Sequence, residues 1–402
     1  MTEDLVCFLQ VLFTLPTDNP FPNLRELHGW IEPSLLCFLH HFMSPRLTVF
    51  SVCVETDDQL GCSGYGSLTD TISAISGSSL QKFSLGESQW ENASTRFKKE
   101  VSAMILRCSP ALNHLNAGVE LSEQAVLHAI QLPHLHTLKL THESPPDITT
   151  IALDDTIILP ALRSLTLGSP IAYDWLLFLN DVRWRHSVAT IARVPGWSPV
   201  QVGVHTTLEE LYCWCGDVPK RAIVRQALAF RNLTTLEVGR FCPADRCSFD
   251  LTDDDVITFT KALPRIRKLM LGHPCWLNTC QTTFKSLLVL SANCIDLTEL
   301  IVHFNTINIA EDVKSLFESE DLDTQKLRKG PRCGVTSLPV FLAPLVVDVS
   351  DTELLAKGLL SVFPMLGENV PIRPIPGGVA SSAWLCVSNA ISRLKGLYNQ
   401  DP

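Results

Sequence analysis

Four cysteines and one histidine are the residues of this chain whose type and spacing come nearest to a metal site. Cys242 and Cys247 form one pair with four residues between them, Cys275 and Cys280 form a second, and His273 lies beside the second pair. Four thiolates can hold zinc tetrahedrally, although this spacing is at the edge of the usual range. Because cysteines occur throughout the chain, we favour surface or partly buried thiols here and expect neither a metal nor a cofactor.

Motifs for catalysis are absent from the sequence. It contains no G-x-S-x-G, no H-E-x-x-H and no phosphate-binding loop of the G-x-x-x-x-G-K-[ST] type. The segment "GCSGYGS" from Gly61 has glycines at the wrong spacing for a dinucleotide fingerprint, and we predict a flexible loop. The 12 histidines form no spaced set with a nucleophile. Members of a triad can lie far apart in sequence, so an enzyme remains the third and weakest of our hypotheses.

Composition favours a folded, acidic, intracellular protein. The 402 residues are 46% hydrophobic and 18% charged, and the net charge of −10 disfavours binding to nucleic acid. The apolar run from Leu5 follows two acidic residues, whereas a signal peptide begins with basic ones, and no run is long enough to span a membrane. We therefore expect reduced thiols and a cytoplasmic or nuclear location.

One short phrase, L-x-x-L-x-L with other apolar residues allowed in the slots, recurs along the chain. "LPALRSLTLGS" from Leu159 and "LPRIRKLMLGH" from Leu263 are strong copies. Its last part alternates, which is typical of a short strand with one buried face. The phrase begins at residues 24, 47, 80, 112, 135, 162, 208, 233, 266, 297 and 335.

Segments between the phrases have helical spacing. Thr252 and Asp255 form a capping-box variant, and Ser122 is a candidate N-cap for the helix that follows it. A strand–loop–helix unit cannot bury its apolar face alone, so neighbouring units must stack. We predict an α/β fold, an irregular leucine-rich-repeat-like solenoid with a curved parallel sheet and helices on the convex side.

The expected organisation is a single solenoid domain over residues 1–402. It comprises an N-terminal cap helix at 1–20, repeat units over 21–345 with an insertion near 171–205, and C-terminal capping helices at 346–402. Within the insertion, "RWRH" from Arg183 is a small basic and aromatic patch. We interpret it as a solvated helix end in preference to a nucleic-acid contact.

Residues that alternate with the buried leucines should form the exposed face of the sheet. The contacts expected for a protein partner on this face are Lys139, Glu210, Tyr212, Trp214 and Glu237. Aromatic side chains on such a face are typical of binding hot spots. The alternative is that the insertion covers Tyr212 and Trp214 and makes them part of the core, and both interpretations stay open.

The repeat pattern resembles the leucine-rich-repeat-like regions of a large fungal family of F-box proteins. The resemblance rests on "LTDDD…FTKALPRIRKLMLG", "TFKSLLVLSANCIDLTELIVHFN", "LAKGLLSVFPML" and "FPNLRELHGW", and it covers roughly residues 5 to 395. It implies a substrate-receptor subunit of a cullin-type ubiquitin ligase. The F-box of that family, with its Leu-Pro-x-Glu signature, has no counterpart here, since "LPTDNP" at Leu15 lacks the glutamate.

Two functions therefore follow as expectations. The first is a non-enzymatic protein-recognition solenoid related to F-box substrate receptors, which would bind the ligase adaptor only through an upstream F-box. The second is a stand-alone leucine-rich-repeat scaffold or sensor without a ubiquitin role. Under either expectation the partner is a protein or peptide on the concave sheet face, with neither nucleic acid nor membrane involved.

Overall fold

A computed structural model describes most of the repeat region and two C-terminal helices. It describes residues 20–54, 62–75, 79–86, 94–140, 145, 159–168, 172–180, 204–213, 220–239, 251–271, 281–302, 309–318, 333–335, 349–366 and 381–398. The chain divides into two compact units, residues Met1–Thr207 and Leu208–Pro402.

The first unit contains six parallel strands that pair in chain order. They are β1 (Glu26–Ile31), β2 (Val49–Val54), β3 (Lys82–Leu85), β4 (His114–Asn116), β5 (Thr137–Leu140) and β6 (Ser164–Leu167). A 3₁₀ helix (Pro33–Phe42) follows β1. The helices between or after the later strands are α1 (Cys62–Ala74), α2 (Thr95–Arg107), α3 (Glu123–Ile130), α4 (172–180) and the single turn α5 (Val204–Thr207).

The second unit repeats the same plan with four parallel strands, again paired in chain order. The strands are β7 (Glu210–Cys213), β8 (Thr235–Val238), β9 (Lys268–Leu271) and β10 (Glu299–Val302). The helices are α6 (Lys220–Ala227), α7 (Asp253–Ala262), α8 (Phe284–Asn293), α9 (Ile309–Glu318), α10 (Val349–Val362) and α11 (Ser381–Tyr398). Parallel strands in chain order, alternating with helices, make this an α/β solenoid of the leucine-rich-repeat type.

Ten of the eleven phrases are therefore strands, as predicted, and the eleventh runs from Val335 into residues outside those described. The apolar slots of the phrase face a layer of consecutively packed helices. Leu115, Leu165, Leu211, Leu236 and Leu300 all have 0% exposure. This continuous apolar stacking between the sheet and the helices is the core of each unit.

Backbone hydrogen bonds explain why the phrase has a fixed length. The carbonyl of the residue before the strand accepts two N–H groups from the next repeat at strands β1 to β5 and β7 to β9. Arg25 accepts from Thr48 and Val49 at 2.7 and 3.0 Å, and Glu209 accepts from Thr234 and Thr235 at 2.8 and 3.0 Å. Since the same bonds recur from repeat to repeat, an insertion inside the phrase would break the ladder, whereas one between phrases would not.

Helix caps agree with the sequence interpretation in two places. Ser122 caps α3 by accepting from the N–H of Ala125, and Thr252 and Asp255 form a full capping box at α7. The prediction of a flexible loop for "GCSGYGS" is wrong, because Cys62 begins α1 and residues 62–67 of this segment lie in the helix. Its glycines lower helix propensity, but Leu68, Ile72 and Ile75 bury an apolar face, and tertiary packing decides the outcome.

The expectations about domain organisation stay predictions. Of the cap helix predicted at 1–20, residues 1–19 lie outside the described residues, and only 172–180 and 204–205 of the insertion are described. Its helix α4 buries Trp175, Leu176 and Leu179. At the other end, α10 and α11 occupy the region assigned to capping helices and pack against each other. The single solenoid domain over 1–402 also stays a prediction.

Candidate functional site

The outward side of the second unit's sheet carries the polar side chains that the core does not use. Register places Glu210 beside Thr235, and Tyr212 beside Glu237. Thr235 in turn lies beside Lys268, and Lys268 beside Glu299. We call this set, completed by Met270 and Ile301, the second-unit face. Parallel strands about 4.8 Å apart hold these side chains in rows, which makes the face rigid.

Tyr212 is the aromatic residue of this face, and it is half-buried. Its hydroxyl donates a hydrogen bond to Glu210 Oε2 at 3.4 Å. Burial, with the charges of Glu210 and Glu237, raises the pKa of Tyr212 to about 12, while Lys268 acts in the opposite direction. The phenol is therefore a neutral hydrogen-bond donor at physiological pH, with its ring partly open to solvent.

Lys268 is the centre of an ion-pair network. Its Nζ lies 3.0 Å from Glu237 Oε1 and 3.2 Å from Glu299 Oε2. The hydrogen bond to Glu237 raises the pKa of Lys268, burial opposes it, and the charges of Glu237 and Glu299 add to the increase. Glu299 is 63% exposed at its side chain, whereas Glu237 is almost wholly covered. The ion pair between Lys268 and Glu237 therefore stabilises the second-unit face, and the Glu299 side chain remains accessible to a partner.

Glu237 corrects one expectation. The alternation correctly places it on the outward side, opposite the buried Leu236 and Val238, but the residue is only 2% exposed. The side chains of Tyr212 and Lys268 flank it, and a carboxylate between an aromatic ring and an ammonium loses its contact with water. Removing Lys268 would leave a buried charge without its closest cation, which is costly.

The five predicted contact residues are thus only partly brought together. Glu210, Tyr212 and Glu237 share the second-unit face, while Lys139 lies on β5 in the first unit. Trp214 lies outside the described residues, as does most of the insertion (171 and 181–203), so the two interpretations of Tyr212 and Trp214 both stay predictions. Cys213, the first thiol of Cys-Trp-Cys, is 1% exposed and belongs to the core.

The alternation of the phrase also puts Lys268 and Glu299 on the outward side of the sheet, but the predicted contacts do not include them. The sequence could have predicted this ion pair. Aligning "IRKLML" with "LTELIV" by the repeat phrase places Lys268 directly opposite Glu299. Opposite charges at facing positions of neighbouring strands predict a contact. The link from Lys268 to Glu237 is diagonal and depends on side-chain length, which the alignment does not convey.

The candidate zinc site and the basic patch of the insertion cannot be located in the structure. All four cysteines of the candidate zinc site, with His273 and the patch from Arg183, lie outside the described residues. Within the described part of the chain, no three His, Cys, Asp or Glu side chains converge as metal ligands would. None of the helices described there is long and apolar enough to cross a bilayer.

Comparisons with known proteins identify structural similarity at a distant level and no sequence relative. No protein-family model matches the chain, and no curated protein is similar to it in sequence. An internalin from Listeria monocytogenes, solved by crystallography, is similar at a TM-score of 0.32 and 15% identity, over 67% of this chain. This chain spans 64% of that chain's length, which is less than two thirds. A likeness at this level supports no conclusion, and the fold assignment rests on strand order and strand–helix alternation.

Proposed function

We propose that this chain is a non-enzymatic protein-recognition solenoid that binds a protein or peptide on the outward side of its sheet. One observation carries the proposal: Tyr212 stands half-exposed on a rigid sheet, among charged side chains that the apolar core does not need. A pre-organised aromatic ring loses little entropy when a partner packs against it. The contacts proposed are Lys139, Glu210, Tyr212, Trp214 and Glu237, with Glu237 acting through Lys268 and not through direct exposure.

The finer proposal is that the chain is the substrate-binding region of an F-box-type receptor of a cullin ubiquitin ligase, in the cytoplasm or nucleus. Its support is the resemblance of the repeat sequences to that fungal family, together with the strand–helix repeats that such a region requires. The alternative is a stand-alone scaffold with the same fold and no ubiquitin role. A substrate receptor lowers the abundance of what it binds, whereas a scaffold does not.

The binding proposal is tested by replacing Tyr212. Tagged wild-type protein and Tyr212→Ala are used to capture partners from the source cells, and the affinity of the recovered partner is then measured with purified components. Loss of a hot-spot ring should weaken binding by about 2 kcal/mol, which is roughly thirtyfold. Ile295→Ala is the matched control, since Ile295 is an exposed apolar residue in the loop between α8 and β10.

Two results would contradict the binding proposal. Tyr212→Ala could bind the partner as tightly as wild type does, or it could unfold, which would mean that the ring belongs to the core. Circular dichroism and thermal melting separate these cases. The ubiquitin role is tested on the same partner: deleting the gene for this chain should raise the partner's half-life if the chain is a substrate receptor. An unchanged half-life favours the scaffold.

A further inference from the structure

The second-unit face carries a net negative charge. Its outward positions hold three carboxylates and one ammonium group, which gives a net charge of −2 at neutral pH. The groups belong to Glu210, Glu237, Glu299 and Lys268. Glu209 and Arg267, the exposed residues immediately before β7 and β9, have opposite charges and leave this balance unchanged.

The excess negative charge lies at the two ends of the face. In the middle, the Glu237 carboxylate is buried beside the ammonium group of Lys268. Lys268 also pairs with Glu299, whose side chain is nevertheless 63% exposed. At the other end, Glu210 is half-buried and accepts the hydroxyl of Tyr212. A partner can therefore reach one carboxylate on β7 and one on β10.

The separation of these two carboxylates limits what can bind them. Glu210 and Glu299 occupy equivalent positions of the first and last strands of the face, so their Cα atoms lie roughly 14 Å apart. The carboxylates of the face do not converge as metal ligands would. In an extended peptide, residues i and i+4 are about 13 Å apart and point to the same side. Two basic side chains at that spacing match the two carboxylates.

A row of less polar side chains runs beside the charged row. Tyr212, Met270 and Ile301 occupy the next outward position of β7, β9 and β10, and all three are half-buried. A guanidinium group can stack on an aromatic ring while it pairs with a carboxylate, and Tyr212 lies beside Glu210 in the arrangement that this requires. Met270 offers an apolar contact between the two ends of the face.

We propose that the segment bound on the second-unit face is basic and extended, with two arginines four residues apart and an apolar residue midway between them. One arginine pairs with Glu210 and stacks on Tyr212, and the other pairs with Glu299. The apolar side chain packs against Met270. This inference rests on the function proposed above and specifies the chemistry of the partner. An acidic segment would meet charges of its own sign, which is unfavourable.

The test uses fluorescein-labelled nonapeptides of Gly and Ser whose central sequence is Arg-Ser-Leu-Ser-Arg. Binding to the full chain is measured by fluorescence polarisation at low salt, because exposed charge pairs weaken as ionic strength rises. The Arg peptide should bind, and its affinity should fall about tenfold in Glu210→Gln and in Glu299→Gln. Glu311→Gln changes an exposed glutamate on helix α9, is the matched control and should bind as wild type does.

Reversing a charge makes the test specific. Glu299→Lys should lose the Arg peptide and bind one of the two peptides in which a single Arg is replaced by Glu. Met270→Ala should lower the affinity of the Arg peptide to that of a peptide with Ser in place of Leu. Circular dichroism confirms that each variant is folded, and the charge-reversed pair shows that a loss of binding is not a loss of structure.

Three results would overturn the inference. The Arg peptide could fail to bind at millimolar concentration, a peptide with Glu in place of both arginines could bind equally well, or both Gln variants could bind the Arg peptide unchanged. The second result would show that binding does not depend on charge. The third would show that the basic peptide lies on another surface.

These results are separate from those that test the proposed function. If Tyr212→Ala weakens binding of the captured partner while the Arg peptide fails, the proposed function stands and this inference falls. If the Arg peptide binds through Glu210 and Glu299 but Tyr212→Ala leaves the captured partner bound, the face recognises basic segments and the proposed function falls.

Discussion

At the scale of single residues, burial on the outward sheet faces has electrostatic consequences. Glu237 is buried beside Lys268, and His114 is half-buried and stays neutral beside Lys82. Both residues are polar positions of the repeat phrase that neighbouring side chains partly remove from water. Such groups connect the chemistry of the face with the stability of the unit, because their protonation alters the free energy of unfolding.

His114 should make unfolding of the first unit dependent on pH. Its folded pKa of about 4 lies below the ordinary 6.5, so the unfolded state takes up the proton first. The stabilisation is therefore present above pH 6.5 and is lost as the pH falls from 6.5 to 4. Full loss corresponds to about 3 kcal/mol, and solvent screening of this partly exposed ring reduces the expected value to between about 1 and 3 kcal/mol.

Urea unfolding of wild type and His114→Gln between pH 7.5 and 4.5 measures this effect. The difference in free energy of unfolding between wild type and His114→Gln should change by about 1 to 3 kcal/mol over this pH range. Wild type should lose more stability than the variant as the pH falls. His134→Gln is the control, since His134 is exposed in the turn after α3. Parallel pH profiles for wild type and His114→Gln would contradict the interpretation.

At the scale of elements, the repeat phrase predicts strands better than the intervening segments predict helices. Leu138 and Leu140 alternate with Thr137 and Lys139, and alternation is a local property that the backbone expresses directly. The 3₁₀ helix at Pro33–Phe42 and helix α1, which begins at Cys62, were not predicted, because their conformation follows from packing against the sheet. The low exposure of Glu237 was not predicted either. Long side chains on neighbouring strands bury it, and the residue pattern of its own strand contains no information about them.

Helix α10 offers a test of packing between elements. Gly358 lies in mid-helix, where a Cβ atom would be 2.9 Å from Val313 Cγ1 on α9 and 3.3 Å from Phe284 Cζ on α8. Alanine normally stabilises a helix interior by about 1 kcal/mol relative to glycine. Here the added methyl group must displace well-packed side chains, which typically costs about 1–3 kcal/mol. We expect Gly358→Ala to be destabilising or neutral, although the helix propensity alone predicts a gain.

Thermal and urea unfolding of Gly358→Ala test this balance. Gly396→Ala is the control, since Gly396 lies in helix α11 where an added Cβ atom would have no neighbour within 4 Å, and it should gain stability. Val313 is fully buried, so the comparison is made with Val313→Ala alone: in that background, which lacks the obstructing methyl groups, adding Gly358→Ala should increase stability by the helix-propensity difference. A clear gain in stability from Gly358→Ala alone would show that α9 does not pack as closely as the structure places it.

At the scale of the whole molecule, the predicted single solenoid domain implies that distant repeats unfold together. In a single solenoid each repeat is stabilised by contacts with its neighbours, so the stability of one repeat depends on the next. The cysteines report on this directly, because Cys108 is buried in the first unit and Cys294 in the second. Burial raises the pKa of each thiol to about 12, which keeps both protonated and unreactive while folded.

Thiol labelling across a urea gradient therefore tests the domain prediction. Protein is labelled with iodoacetamide at each urea concentration and digested, and modification of each cysteine is quantified by mass spectrometry. Cys386 is exposed and should react without urea, which gives the upper reference. Cys108 and Cys294 should become reactive at the same urea concentration, because a single domain exposes both in one transition. Two separate midpoints would show that the two units unfold independently, and the assignment of one domain to residues 1–402 would then be wrong.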